Sequence, residues 1–345
     1  MARSYHNKAP LTKLYRTATG PRTIPITDPN GIRLARKISI GPVNVWSRDE
    51  TSVIFVPGSR NWEEEEADDP DAPWRQDAEG YACLKTSFAY EVIGEEHPGI
   101  VPVLGQDAWT GLPILLKPTY GSLWNFFEEY EEKVYSAQAG ATLPNSRIKP
   151  EFLPLAYQWS LQLLSALALM HSHNIAYGEI IPECCWLSAE TLDISLAGFY
   201  GSEFRDPKTG WNCPGWFFTD NEFSPDALSL SRENVPTCGT DMFIFARLMH
   251  CIMTSHNPGE GMGRESGETE RLARDEDWMP DLEDEFMGEI LHKCWRFDYY
   301  NIHDLQNEVR ALIESYGWLI VDDKLKGLDI ERTKRLLRGG VANGQ

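Results

Sequence analysis

The stretch Leu163 to Phe199, LLSALALMHSHNIAYGEIIPECCWLSAETLDISLAGF, decides how the chain is read. Up to Met170 it is apolar at nearly every position, which predicts the end of a long helix buried on most faces rather than a surface helix. Gly178 and Pro182 then punctuate a tight loop, Tyr177-Gly178-Glu179-Ile180-Ile181-Pro182-Glu183-Cys184. A short strand, a turn and a second strand follow, delivering Ala197-Gly198-Phe199. His171 and His173 stand two apart and so do not share a helix face, which makes His171 a packed core histidine rather than half of a metal pair.

The totals limit the function classes. A chain of 345 residues with 42% apolar residues and twelve Trp has enough material for two packed lobes. A formal charge of -20 repels phosphate, so neither nucleic acid nor an anionic membrane is the expected partner, and a neutral or basic protein is. No run of about 18 apolar residues is present and the N-terminus has no apolar core, so the expectation is a cytoplasmic or nuclear protein that is not secreted. Seven Cys, with an adjacent pair and no C-x-x-C, indicate neither a disulfide framework nor a zinc site.

Outward toward the N-terminus, residues 1–32 are basic, free of acid before Asp28 and interrupted by Pro10, Pro21, Pro25 and Pro29, which predicts a flexible arm. RLARKISIGPVNVW (33–46) and TSVIFVP (51–57) predict strands around the turn Ser47–Glu50. NWEEEEADDPDAPW then carries seven acids between Glu63 and Asp71, a solvated loop over about 61–76. Ile100–Leu104 and Leu112–Leu116 predict two more strands, and Ser122 caps a helix from Leu123 to about Tyr135. Residues 136–149 read as a linker, and Phe152 to His173 as the buried helix.

Outward toward the C-terminus, Trp211, Trp216, Phe217 and Phe218 predict a loop packed down by aromatic side chains. Thr240–Ala246 opens an apolar helix, His256–Glu285 is an acidic, Gly-rich insert, and FMGEILHKCW (286–295) and YYNIHDLQNEVRALIESY (299–316) predict the closing helices. Residues 321–345 carry Arg332, Lys334, Arg335 and Arg338, a basic tail that lies back on the acidic body or serves as a short interaction peptide.

Taken in order, His97-Pro98-Gly99-Ile100-Val101, Lys117–Leu123 with its G-S-L, the Met170-His171 helix end, the loop with Pro182, Gly198-Phe199, Phe223-Ser224-Pro225-Asp226, Thr240-Asp241-Met242-Phe243 and Cys294-Trp295 resemble the motif series of the protein kinases. The resemblance covers about Ile38 to Tyr316 and looks closest to divergent fungal kinase-like proteins. It implies an α+β, two-lobed protein kinase-like fold: a small mainly β N-lobe over 33–118, and a larger mainly α C-lobe over 119–320.

The same resemblance marks the positions of the chemistry. Phosphoryl transfer needs a phosphate cradle, magnesium ligands and an oriented hydroxyl. The first strand pair offers only Gly41-Pro42 where a Gly-rich loop would lie. Ala197 replaces the D-F-G aspartate, Cys184 the loop asparagine and Ile181 the loop lysine, so no metal site is expected. Glu179 stands at the catalytic aspartate position as the one surviving candidate. Asp241 stands where kinases anchor the loop backbone.

Two registers compete for the third strand. In one, Ala82-Cys83-Leu84-Lys85 is the strand and Lys85 binds ATP. In the other, Val53–Pro57 is the strand, about Asp77 to Gly94 is the regulatory helix, and Phe55 and Thr86 occupy the lysine and glutamate positions, leaving Lys85 an ordinary helical lysine. Eleven residues between Lys85 and His97 are too few for a helix of three turns with its connections, which need roughly twice that. The spacing favours Phe55. The expected function is a pseudokinase acting through protein contacts with no cofactor. An active serine/threonine-type kinase using ATP and Mg is the alternative, and a scaffold working through its acidic loop and basic tail is a third.

Overall fold

The computed structural model describes residues 36–40, 44–56, 72–107, 112–137, 146–207, 210, 212–215, 236–259 and 278–339. The arm 1–32, residues 61–71 of the acidic loop, Trp211 and Trp216–Phe218, the S-P-D motif and residues 260–277 of the insert lie outside them.

The fold is mixed α+β. Strands β1 (Arg36–Ile40), β2 (Asn44–Ser47), β3 (Ser52–Val56), β4 (Val103–Gln106) and β5 (Pro113–Leu116) form one antiparallel sheet in the order β1-β2-β3-β5-β4. Strand β3 sits in the middle, pairing Phe55 with Val45 on one side and Val53 with Leu115 on the other. That position explains its β-branched and aromatic composition, because Ser52 to Phe55 are all buried.

Helix α1 (Ala72–Ile93) connects β3 to β4 and packs on the sheet. It begins five residues earlier than the sequence predicted, so 72–76 are helix rather than acidic loop. Gly94 closes it at φ +67° with its N–H bonded to the Tyr90 carbonyl, a glycine C-cap.

The segment His97–Val101 then crosses to the helical part of the molecule. Its Gly99 and Val101 pair with Leu196, and Gly99 lies so close to a neighbouring helix that an added Cβ would meet the Gln162 carbonyl at 2.8 Å. Only a glycine fits that approach.

The helical part is built on α3 (Leu153–Ser172), which is buried along nearly its whole length, as its uniform apolarity predicts. Around it stand α2 (Leu123–Val134), α4 (Cys238–Thr254), α5 (Gly288–Trp295) and α6 (Ile302–Ser315). A three-stranded sheet of β6 (Gly121–Ser122), β9 (Cys185–Leu187) and β10 (Ile194–Leu196) carries the loop that precedes β9. Among the described residues the apolar interior falls into two clusters, a large one centred on α3 and α4 and a smaller one under the five-stranded sheet.

One expectation needs correction and another gains detail. Residues 136–149 are not wholly a linker, since β7 (Tyr135–Ala137) pairs with β8 (Ser146–Ile148). As far as Gly339 the basic tail lies back on the body, the first of its two expected courses, and does so as folded structure. It folds into the hairpin β13 (Ile320–Val321) and β14 (Lys324–Leu325), followed by α7 (Ile330–Leu337) with Asp329 as its cap. Leu325 and Leu337 are buried, Lys324 pairs with Asp193 at 2.6 Å, and Lys133 Nζ donates to the Leu337 carbonyl. No helix among the described residues is long and apolar enough to cross a membrane.

Candidate functional site

The loop Tyr177–Cys184 leaves α3, crosses in front of α4 and ends in a 3-10 turn, Pro182–Cys184, that feeds β9. Its course is set by one carboxylate. Asp241, fully buried in the first turn of α4, accepts the Tyr177 N–H at Oδ2 and the Gly178 N–H at Oδ1, both at 2.7 Å. His171 Nε2 lies 2.9 Å from the same Oδ2. Burial works against an imidazolium there, yet the hydrogen bonds and charges of Asp241 and Cys238 outweigh it and push the His171 pKa up to about 10. Gly178 completes the turn at φ +82°, where a Cβ would strike the Gly201 carbonyl at 2.6 Å.

Glu179, the candidate base, is buried, with 2% of its surface exposed. It is therefore not a surface carboxylate. It lies in the field of Arg247, which α4 holds equally buried, and of Glu183. Burial, together with the like charge of Glu179, raises the Glu183 pKa, whereas burial lowers that of Arg247 against the pull of Glu179 and Glu183. Sequence reading missed Arg247. The one available signal was a cation in the otherwise apolar run MFIFARLM, a pattern that a buried charge needs a partner to support.

Beyond Glu179 the side chains are apolar and packed. Ile181, Cys184, Trp186, Ala197 and Tyr200 join Val45, Val53, Phe55, Val101 and Leu115 in a single buried cluster. Phe55 meets the Trp186 ring edge-on at 5.9 Å between centroids and the Tyr200 ring at 5.4 Å. The Trp186 Nε1–H is satisfied by the Glu183 carbonyl. Tyr200 folds back across Gly198, so closely that a Cβ there would sit 2.2 Å from its Cζ. Burial lifts the Cys184 thiol well above its ordinary range, so it stays protonated and inert. Ala197 contributes only backbone, its N–H to the Cys184 carbonyl and its carbonyl to the Tyr177 hydroxyl.

The two residues that competed for the third strand fall on different elements. Phe55 is on β3 and Lys85 is in α1. Lys85 is not an ordinary helical lysine, because it is fully buried and its Nζ donates to the carbonyls of Ser202 and Pro214, each at 2.9 Å. Thr86, also fully buried, accepts the Phe199 N–H at its Oγ1 at 3.0 Å.

Among the described residues no three His, Cys, Asp or Glu side chains gather as a metal site. What the arrangement provides is a loop anchored by the buried Asp241, with a second buried carboxylate, Glu179, in the field of Arg247, backed by an aromatic cluster. No protein-family model matches the chain, and no curated protein matches it.

Proposed function

We propose that the chain is a pseudokinase: a two-lobed, protein kinase-like fold that has lost nucleotide chemistry and acts through contacts with a protein partner. The supporting order of elements is three strands, a helix and two strands, then a helical body whose loop is anchored by Asp241. The observation that carries the functional half is the packing of Phe55, Ile181, Cys184, Trp186, Ala197 and Tyr200 into one buried cluster. Under the kinase correspondence these include the positions of the ATP lysine, the loop lysine and both magnesium ligands, and they hold methyl groups, rings and a protonated thiol instead. Hard cations take oxygen ligands, so neither Cys184 nor Ala197 substitutes for them.

A ligand specific to the folded state raises its stability by RT ln(1 + [L]/Kd). Thermal unfolding of the full chain with millimolar ATP and magnesium is therefore expected to show no shift. A saturable rise in Tm, together with phosphate transfer that Glu179→Ala abolishes, would overturn the reading in favour of an active kinase. Because Glu179 is buried in the field of Arg247, its expected role is to hold the loop, and the variant is expected to lose stability rather than activity.

A further inference from the structure

Strands β11 (Phe204–Arg205) and β12 (Asn212–Cys213) form a small hairpin beyond the Gly198-Phe199 turn. The two carbonyls that Lys85 holds, Ser202 and Pro214, lie one before its first strand and one after its second. A single amine thus closes the base of the hairpin from inside α1. The neighbouring Thr86 holds Phe199, the residue from which the segment starts.

The same base is tied to the anchored loop. Glu203 pairs both ways with the Ala176 backbone at 2.9 Å, and the Ser202 hydroxyl donates to the Tyr177 carbonyl at 3.1 Å. The Glu203 carboxylate turns the other way, accepting the Asn212 amide at 3.2 Å and the Gly215 N–H. Helix, hairpin and loop therefore converge on one buried amine.

We propose that Lys85 is a latch through which α1 grips the base of the β11–β12 hairpin, so that helix and hairpin open as one unit. The latch stands on these contacts alone, whether or not the chain binds nucleotide. Removing the amine leaves the Ser202 and Pro214 carbonyls without their donor and α1 without its hold on the hairpin base, so that hairpin and α1 open more often together while the rest of the molecule stays folded. Cys213 on β12 and Glu203 before β11 act on Lys85 by their charge. Burial lowers its pKa from 10.5 to about 7 against the pull of both. An opened latch exposes Lys85, which then binds its proton as an ordinary lysine does. Opening is accordingly favoured as the pH falls from 10.5 toward 7 and levels off below that.

Hydrogen exchange of the full chain, read peptide by peptide, tests this. In Lys85→Met, exchange of 199–205 and 212–215 and of 82–93 is expected to quicken together by about tenfold or more, with Ile302–Ser315 unchanged. Unchanged exchange overturns the proposal, as does a hairpin that opens while 82–93 stays protected. So does an equal acceleration everywhere. Should that variant fail to fold, the wild-type chain decides. After correction for intrinsic rates, opening of the same peptides is expected to be at least about tenfold more frequent at pH 7.5 than at pH 9. A pH-independent opening constant overturns it.

Discussion

Two buried basic groups, Lys85 and His171, respond to pH in opposite senses. Lys85 is more acidic in the folded chain than in the unfolded one, so its burial weakens the fold most below pH 7. His171 is more basic when folded, because Asp241 stabilises its charge despite burial. A folded pKa of about 10 against an ordinary 6.5 means that the His171–Asp241 contribution is complete below pH 6.5 and is lost as the pH rises through about 10. Urea unfolding of wild type and His171→Gln at pH 6, 8 and 9.5 is expected to show the largest difference at pH 6 and a clearly smaller one at pH 9.5. A difference that stays constant with pH would mean that His171 is neutral in the fold. Asp241 was readable from its motif, Thr-Asp-Met-Phe, and so was its place behind the loop. Lys85 was not, because nothing in Ala82-Cys83-Leu84-Lys85 says that the lysine turns inward.

At the level of elements, caps and close approaches decide where segments begin and how near they come. Ser122 accepts the Asn125 N–H while the Asn125 side chain accepts the Ser122 N–H, a reciprocal cap on α2 that the G-S-L stretch foretold. Because Ser122 is buried, Ser122→Ala is expected to destabilise the chain by about 1 kcal/mol, read from the urea midpoint at constant m-value. Gly99 similarly fits α1 and its connection against α3, a reason for that glycine that spacing alone does not supply. The register of the third strand was legible, since the rise of a helix per residue leaves no room for one after Lys85. The C-terminal hairpin and α7 were not, because strands of two residues and a helix of eight rich in Arg and Lys look like a solvated tail. Their apolar side, Ile330, Thr333 and Leu337, gains meaning only once a surface is there to receive it.

For the molecule as a whole, that extension changes what a deletion reports. Residues 320–339 reach α2 through Lys133, β9 and β10 through Glu190 and Asp193, and α3 through Gln158, whose side chain accepts the Leu325 N–H. A chain ending at residue 317 is expected to unfold at a measurably lower urea concentration than the full chain, since it uncovers the surfaces that Leu325 and Leu337 bury. An unchanged midpoint would show the extension to be decoration. Partner-binding tests of a scaffold role are therefore better made by reversing Arg332, Arg335 and Arg338, which are exposed, than by removing 328–345.

The sequence by itself determined the strands of the first sheet, the strand at Val53–Pro57 with Lys85 in the helix that follows, and the buried helix Phe152–His173, because those follow from residue identity and from spacing along the chain. What packs around the loop was decided only in three dimensions. Phe55, Trp186 and Tyr200 meet from separate segments, and Lys85 reaches a carbonyl 117 residues away. The burial of a lysine or a glutamate depends on partners of that kind, since a charge leaves water only where distant parts of the chain supply its hydrogen bonds or its counter-charge.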